Sequence, residues 1–127
     1  MKLFYLLSIA LGGALGALSR YSVSLLIPRE TISSFPLSTL VVNVSGAFFA
    51  GLVFALSTRI EIPIEYKLFI LIGLLGAFTS FSTFALENAL LLNSGKTYAM
   101  ATNILASNIF TIAAFYFGSW LTHIFTR

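Results

Sequence analysis

Gly73-Leu74-Leu75-Gly76-Ala77-Phe78-Thr79-Ser80-Phe81-Ser82-Thr83-Phe84 lies at the middle of an apolar run from about residue 67 to residue 92. A run of about 20 apolar residues is long enough to cross a bilayer as a helix. Two glycines and four hydroxyl residues (Thr79, Ser80, Ser82 and Thr83) nevertheless crowd its centre. Serine and threonine hydroxyls bond to carbonyls one turn back and bend helices, and glycine weakens them further. The segment therefore reads either as a kinked helix or as one broken near the membrane midplane. Irregular backbone at that depth is tolerated only where it is buried or lines a cavity. A break also leaves free carbonyls and helix ends, which serve as ion sites.

Three further apolar stretches flank this one, giving expected spans at 3–27, 36–57, 67–92 and 97–125. Pro28 is expected to end the first and Pro36 to sit in the first turn of the second, where a missing N–H costs nothing. Arg59, Glu61, Pro63 and Glu65 make a polar turn before the third, and Asn93-Ser94-Gly95-Lys96 a turn before the fourth. The first stretch is too long for a signal peptide and contains Arg20, so it is read as a retained helix. Composition agrees. Of the 127 residues, 58% are hydrophobic and 9% charged, against roughly 25% charged in soluble domains. That excludes a cytosolic enzyme, a nucleic-acid binder and a disordered chain. The fold expected is an all-α membrane protein, one domain of four transmembrane helices, multi-pass in a cell membrane.

With four spans, Lys2, Arg59, Lys67 and Arg127 fall on one side, and Arg29 and Lys96 on the other, joined by Arg20 if it lies nearer that end. Lysine and arginine in loops set orientation, and this bias is slight. Both insertions, and with them an antiparallel homodimer, become possible. Small residues at Gly12/Gly16, Gly13/Ala17, Gly46/Ala50 and Ala47/Gly51 have the spacing that lets helix backbones approach. His123 and Trp120, near the C-terminal end of the fourth span, read as interfacial anchors.

The polar residues inside the spans carry the functional signal, because each needs a partner or a wet path. Asn43 stands about 10 Å into the second span by helical rise; its amide either joins helices or offers donors to an ion. Phe81 and Phe84 share a helical face, as core or as two positive ring edges turned to a pore. Asn103, Ser107 and Thr111 recur every four residues, with Asn108 beside them, as helix glue or as a polar track. Arg20 and Glu87 are off-centre ionisable groups that call for a water-filled vestibule. The chain has one histidine, no aspartate and no cysteine, so no catalytic constellation can be assembled and an enzyme is not expected.

Three segments carry a resemblance. They are Gly12-Gly13-Ala14-Leu15-Gly16-Ala17-Leu18-Ser19-Arg20-Tyr21, Thr39-Leu40-Val41-Val42-Asn43-Val44-Ser45-Gly46 and Gly76-Ala77-Phe78-Thr79-Ser80-Phe81-Ser82-Thr83-Phe84. Together they resemble the signatures of the small fluoride channels of the Fluc (CrcB) type, in order and over essentially the whole chain. The resemblance implies a dual-topology antiparallel homodimer with two pores that let cytoplasmic fluoride leave passively. It implies a structural sodium ion held by the backbone carbonyls of Gly76 and Thr79. It places Asn43, Phe81, Phe84, Ser82 and Thr83 along the fluoride path, with Asn103, Ser107 and Thr111 as further track members. Arg20 and Glu87 fall at the vestibule. Ala77 and Ser80 depart from the commoner Gly and Thr, and Asn103 stands where a Tyr is often found. Physics agrees with such a path: fluoride is small and strongly hydrated, and uncharged donors can replace its water without trapping it. The rival is a small proton-coupled dual-topology exporter, which needs a titratable acid in mid-membrane; Glu87 is the one candidate.

Overall fold

The computed structural model describes residues 2–27 and 35–126. Pro28, Arg29 and Arg127, which enter the expectations above, lie outside the described residues. The described residues form helices and no strand, and four helical stretches are long and apolar enough to cross a membrane. In hydrocarbon a helix satisfies every backbone group within its own segment, so apolar runs of this length fold as helices.

Helix α1 is Lys2–Leu26 and α2 is Leu37–Ser57. Pro36 is the residue before α2, one position ahead of the first helical turn, with ψ at 66°. The third span starts at Ile64, earlier than the expected residue 67, as α3 (Ile64–Lys67). Pro63 cannot extend a helix backwards with an N–H bond, and Glu65 in the first turn suits the helix dipole. The chain then widens into π-helical turns over Leu68–Leu75 and narrows again in α4, Gly76–Phe78. Thr79 (φ −77°, ψ 155°) and Ser80 (φ −148°, ψ 103°) are extended. Helix α5, Phe81–Asn93, follows. It ends in a Schellman motif: Lys96 N–H donates to the Leu91 carbonyl, Gly95 N–H to that of Leu92. Gly95 supplies the positive φ of 73° that the motif requires. Helix α6 is Thr97–Phe125.

The most extensive packing joins α2 to α6, and the next joins α1 to the Leu68–Leu75 segment. Both seams rest on small residues. A Cβ added at Gly51 would collide with the Phe115 carbonyl, and one at Gly118 with that of Phe48. On the other seam, Gly12 faces the Phe69 carbonyl and Gly16 that of Leu74. Backbones thus touch where small residues recur, and van der Waals contact replaces the hydrophobic drive that lipid removes. Gly13, by contrast, faces open space. Large apolar side chains cover the outside of the bundle, as a lipid solvent requires. Helix α5 packs lightly on the rest. Polar contacts hold it instead, and they compose the site.

Candidate functional site: a polar break between two cavities

The break is built around Ser80. An extended residue presents its N–H and C=O to the same side, as in a paired strand. Asn43 of α2 meets both. Ser80 N–H donates to Asn43 Oδ1 at 2.8 Å, and Asn43 Nδ2 donates to the Ser80 carbonyl at 3.3 Å. The side-chain amide acts as a one-residue strand partner for backbone that has left the helix. Ser80 is buried, and its hydroxyl caps α5 by accepting Thr83 N–H at 3.2 Å. That hydroxyl lies 2.6 Å from Thr83 Oγ1 and 3.4 Å from Ser82 Oγ. Asn43, Ser82 and Thr83 thus gather on one buried serine.

The same pairing frees carbonyls. In an unbroken helix Ser80 N–H would reach the Gly76 carbonyl, and here it goes to Asn43. Among the described residues, no hydrogen bond reaches the carbonyl of Gly76 or of Thr79. The Thr79 hydroxyl is spent internally on the Leu75 carbonyl at 3.0 Å. The described residues contain no cluster of three or more His, Cys, Asp or Glu for a metal. The groups at the break able to meet a cation are these backbone oxygens, a donor set that would suit a hard monovalent ion.

A cavity of about 470 Å³ opens on one side of the break. Its wall includes Asn43, Thr79, Phe81, Phe84, Ser107 and Thr111. The Phe81 and Phe84 rings lie 5.4 Å apart, centre to centre, and tilted by 41°. They differ in exposure: Phe84 is 9% exposed and Phe81 79%. The second cavity, about 450 Å³, has Arg20, Thr39, Ser80, Thr83 and Glu87 in its wall. Thr39 Oγ1 donates to Glu87 Oε1 at 2.6 Å, while Glu87 Oε2 is buried with no hydrogen-bond partner among the described residues. Arg20 and Glu87 share this cavity without pairing.

Asn103 lies apart from both cavities. It is 1% exposed, accepts the Ser107 hydroxyl at 3.1 Å and donates to Asn88 Oδ1 at 3.0 Å. Three residues that position the site, Thr39, Ser80 and Asn88, were not among the expected site residues. Thr39 and Asn88 are polar residues in apolar spans, four before Asn43 and one after Glu87, and that signal alone would have raised them. Nothing in the sequence points from Asn43 to the backbone of Ser80.

The profile of the family described as "CrcB-like protein, Camphor Resistance (CrcB)" matches residues 7–119. The chain is 43% identical over 117 residues to a protein of Shewanella amazonensis, covering 92% of this chain and 94% of the relative. It is 42% identical over 121 residues to one of Shewanella halifaxensis, covering 95% and 96%. It is 41% identical over 122 residues to one of Shewanella oneidensis, covering 96% and 97%. Each of these relatives is named a fluoride-specific ion channel, FluC. With its glycine seams, its paired Asn43 and Ser80 and this likeness over nearly its full length, the chain belongs to the CrcB family.

Proposed function

We propose that this chain is a fluoride-selective channel of the cell's plasma or inner membrane, working as an antiparallel dual-topology homodimer with two pores. The observation that carries the reading is the Asn43–Ser80 pairing, which holds unwound backbone beside a cavity of uncharged donors and phenyl rings. The Asn43 amide nitrogen bears two hydrogens, and Ser80 uses one. The other is available to an anion, as are the hydroxyls of Ser82, Thr83 and Thr111, while Ser107 lines the cavity with its proton given to Asn103. None is charged, so fluoride exchanges water for donors without being trapped. Phe81 and Phe84 present positive ring edges to the same path.

The second copy is supported by Phe81, a large ring left 79% exposed at the cavity mouth. A partner related by an in-plane two-fold axis covers it and closes the pore. The same axis brings the Gly76 and Thr79 carbonyls of two chains together, and these oxygens would hold a sodium ion. Such an ion supplies fixed positive charge between the pores, lowering the cost of desolvating an anion. Arg20 and Glu87 line the vestibule through which the ion enters.

Fluoride efflux from liposomes containing only this protein, followed with a fluoride electrode, tests the proposal. Rapid efflux that chloride does not match is expected. Folded protein that passes no fluoride overturns it.

A further inference from the structure

A buried relay lies behind the pore face, and its middle members, Asn88 and Asn103, touch neither cavity. Asn88 Nδ2 donates to the Phe84 carbonyl at 2.9 Å, Asn103 Nδ2 to Asn88 Oδ1 at 3.0 Å and Ser107 Oγ to Asn103 Oδ1 at 3.1 Å. Asn88, Asn103 and Ser107 are all buried. The direction of the relay is forced. A backbone carbonyl only accepts, so Asn88 must turn its NH₂ to Phe84 and its oxygen to Asn103. Asn103 must then turn its NH₂ to Asn88 and its oxygen to Ser107, whose hydroxyl donates. One carbonyl on α5 thus fixes two amides and a hydroxyl as far as α6.

The two ends of the relay, Phe84 and Ser107, line the same cavity. Helix α5 packs only lightly on α6, so apolar contact alone does not fix their separation. Selectivity among anions in a narrow pore depends on its diameter as well as on the groups that line it. We propose that Asn88 and Asn103 are a positioning pair for selectivity, holding the Phe84 and Ser107 walls of the cavity at a fixed separation across the α5–α6 seam. The inference rests on the pore reading above and adds two residues that never meet the ion.

The test compares the parent with the double variant Asn88→Leu/Asn103→Leu. Replacing both partners of a buried pair by apolar groups of similar size is tolerated far better than removing one. If the pair is only glue, the double variant recovers both assembly and selectivity. As a positioning pair it assembles, but its fluoride-to-chloride flux ratio falls by about tenfold or more, the worth of one lost hydrogen bond. The ratio, unlike total flux, does not change when fewer molecules fold. A folded double variant with the parent's ratio overturns the proposal.

Should the double variant fail to assemble, Asn88→Ser decides. Serine bonds back to the carbonyl four residues earlier, as Ser8 and Ser22 do here, yet falls short of Asn103. A ratio lowered by about threefold or more supports the relay, and an unchanged ratio overturns it. A parent that passes no fluoride overturns the pore reading and this inference together, whereas a selective parent whose ratio survives substitution overturns this inference alone.

Discussion

Replacing Asn43 by alanine removes the partner of the Ser80 N–H and one of the two donors to its carbonyl. Two magnitudes compete. A side-chain hydrogen bond between membrane helices averages about 0.6 kcal/mol, because the separated helices find other partners. A buried backbone group stripped of its partner costs about 1–3 kcal/mol. The second figure governs here. Ser80 is buried and extended; its C=O still accepts Phe84 N–H at 3.4 Å as the N-cap of α5, but its N–H has no helical alternative to Asn43. One orphaned N–H gives an expected loss of about 1–3 kcal/mol for Asn43→Ala, with water from the adjoining cavity pulling it toward the lower end. Asn43→Asp keeps an acceptor for Ser80 N–H and loses only the donation to the carbonyl, so it should be the less destabilised of the two. Its flux, however, should fall further than its stability: an ionised carboxylate about 4 Å from an anion repels it by about 4 kcal/mol at an effective dielectric near 20. SDS titration of purified protein measures the first effect and liposome efflux of the same preparations the second. If Asn43→Ala unfolds within about 0.5 kcal/mol of the parent, the Ser80 pairing does not hold the break.

Gly118→Val forces a side chain against the Phe48 carbonyl and should lower stability in the same titration by about 1–3 kcal/mol or more, whereas Gly13→Ala, which meets nothing and removes a helix-weakening glycine, should not lower it and should raise it by up to about 1 kcal/mol. Phe81→Ile and Phe84→Ile keep apolar bulk and delete the ring quadrupole; each should lower fluoride efflux by about tenfold or more with the dimer intact by gel filtration, and parent-like efflux from both would make the rings packing only. A tag at the C-terminus should be reached from both faces of the membrane in a mixed population, and labelling from one face alone would refute dual topology.

The four spans are legible in the sequence because lipid demands long apolar runs, and few charges interrupt them. The crowding of Gly76, Thr79, Ser80, Ser82 and Thr83 marks the region where the helix opens, since each residue weakens or diverts the helical ladder. The residue that Asn43 meets is not legible. Its partner is a backbone 37 positions away, and no periodicity encodes which main-chain groups leave a helix. Asn88 is hidden for a related reason. Alone in a span it looks like any polar residue, and only the seam with α6 reveals Asn103 opposite. The start of the third span is misjudged because Glu65, read from sequence as part of a polar turn, is a favourable first-turn acid on a helix that Pro63 begins.

Whether this chain conducts fluoride by itself is settled most directly by recording single channels in a planar bilayer with fluoride on both sides and no pH gradient. A channel built on the Asn43–Ser80 break predicts unitary fluoride currents that reverse at zero voltage and vanish when chloride replaces fluoride. Silence under those conditions, with fluoride moving only when a proton gradient is imposed, would contradict it and point instead to a proton-coupled exporter working through Glu87.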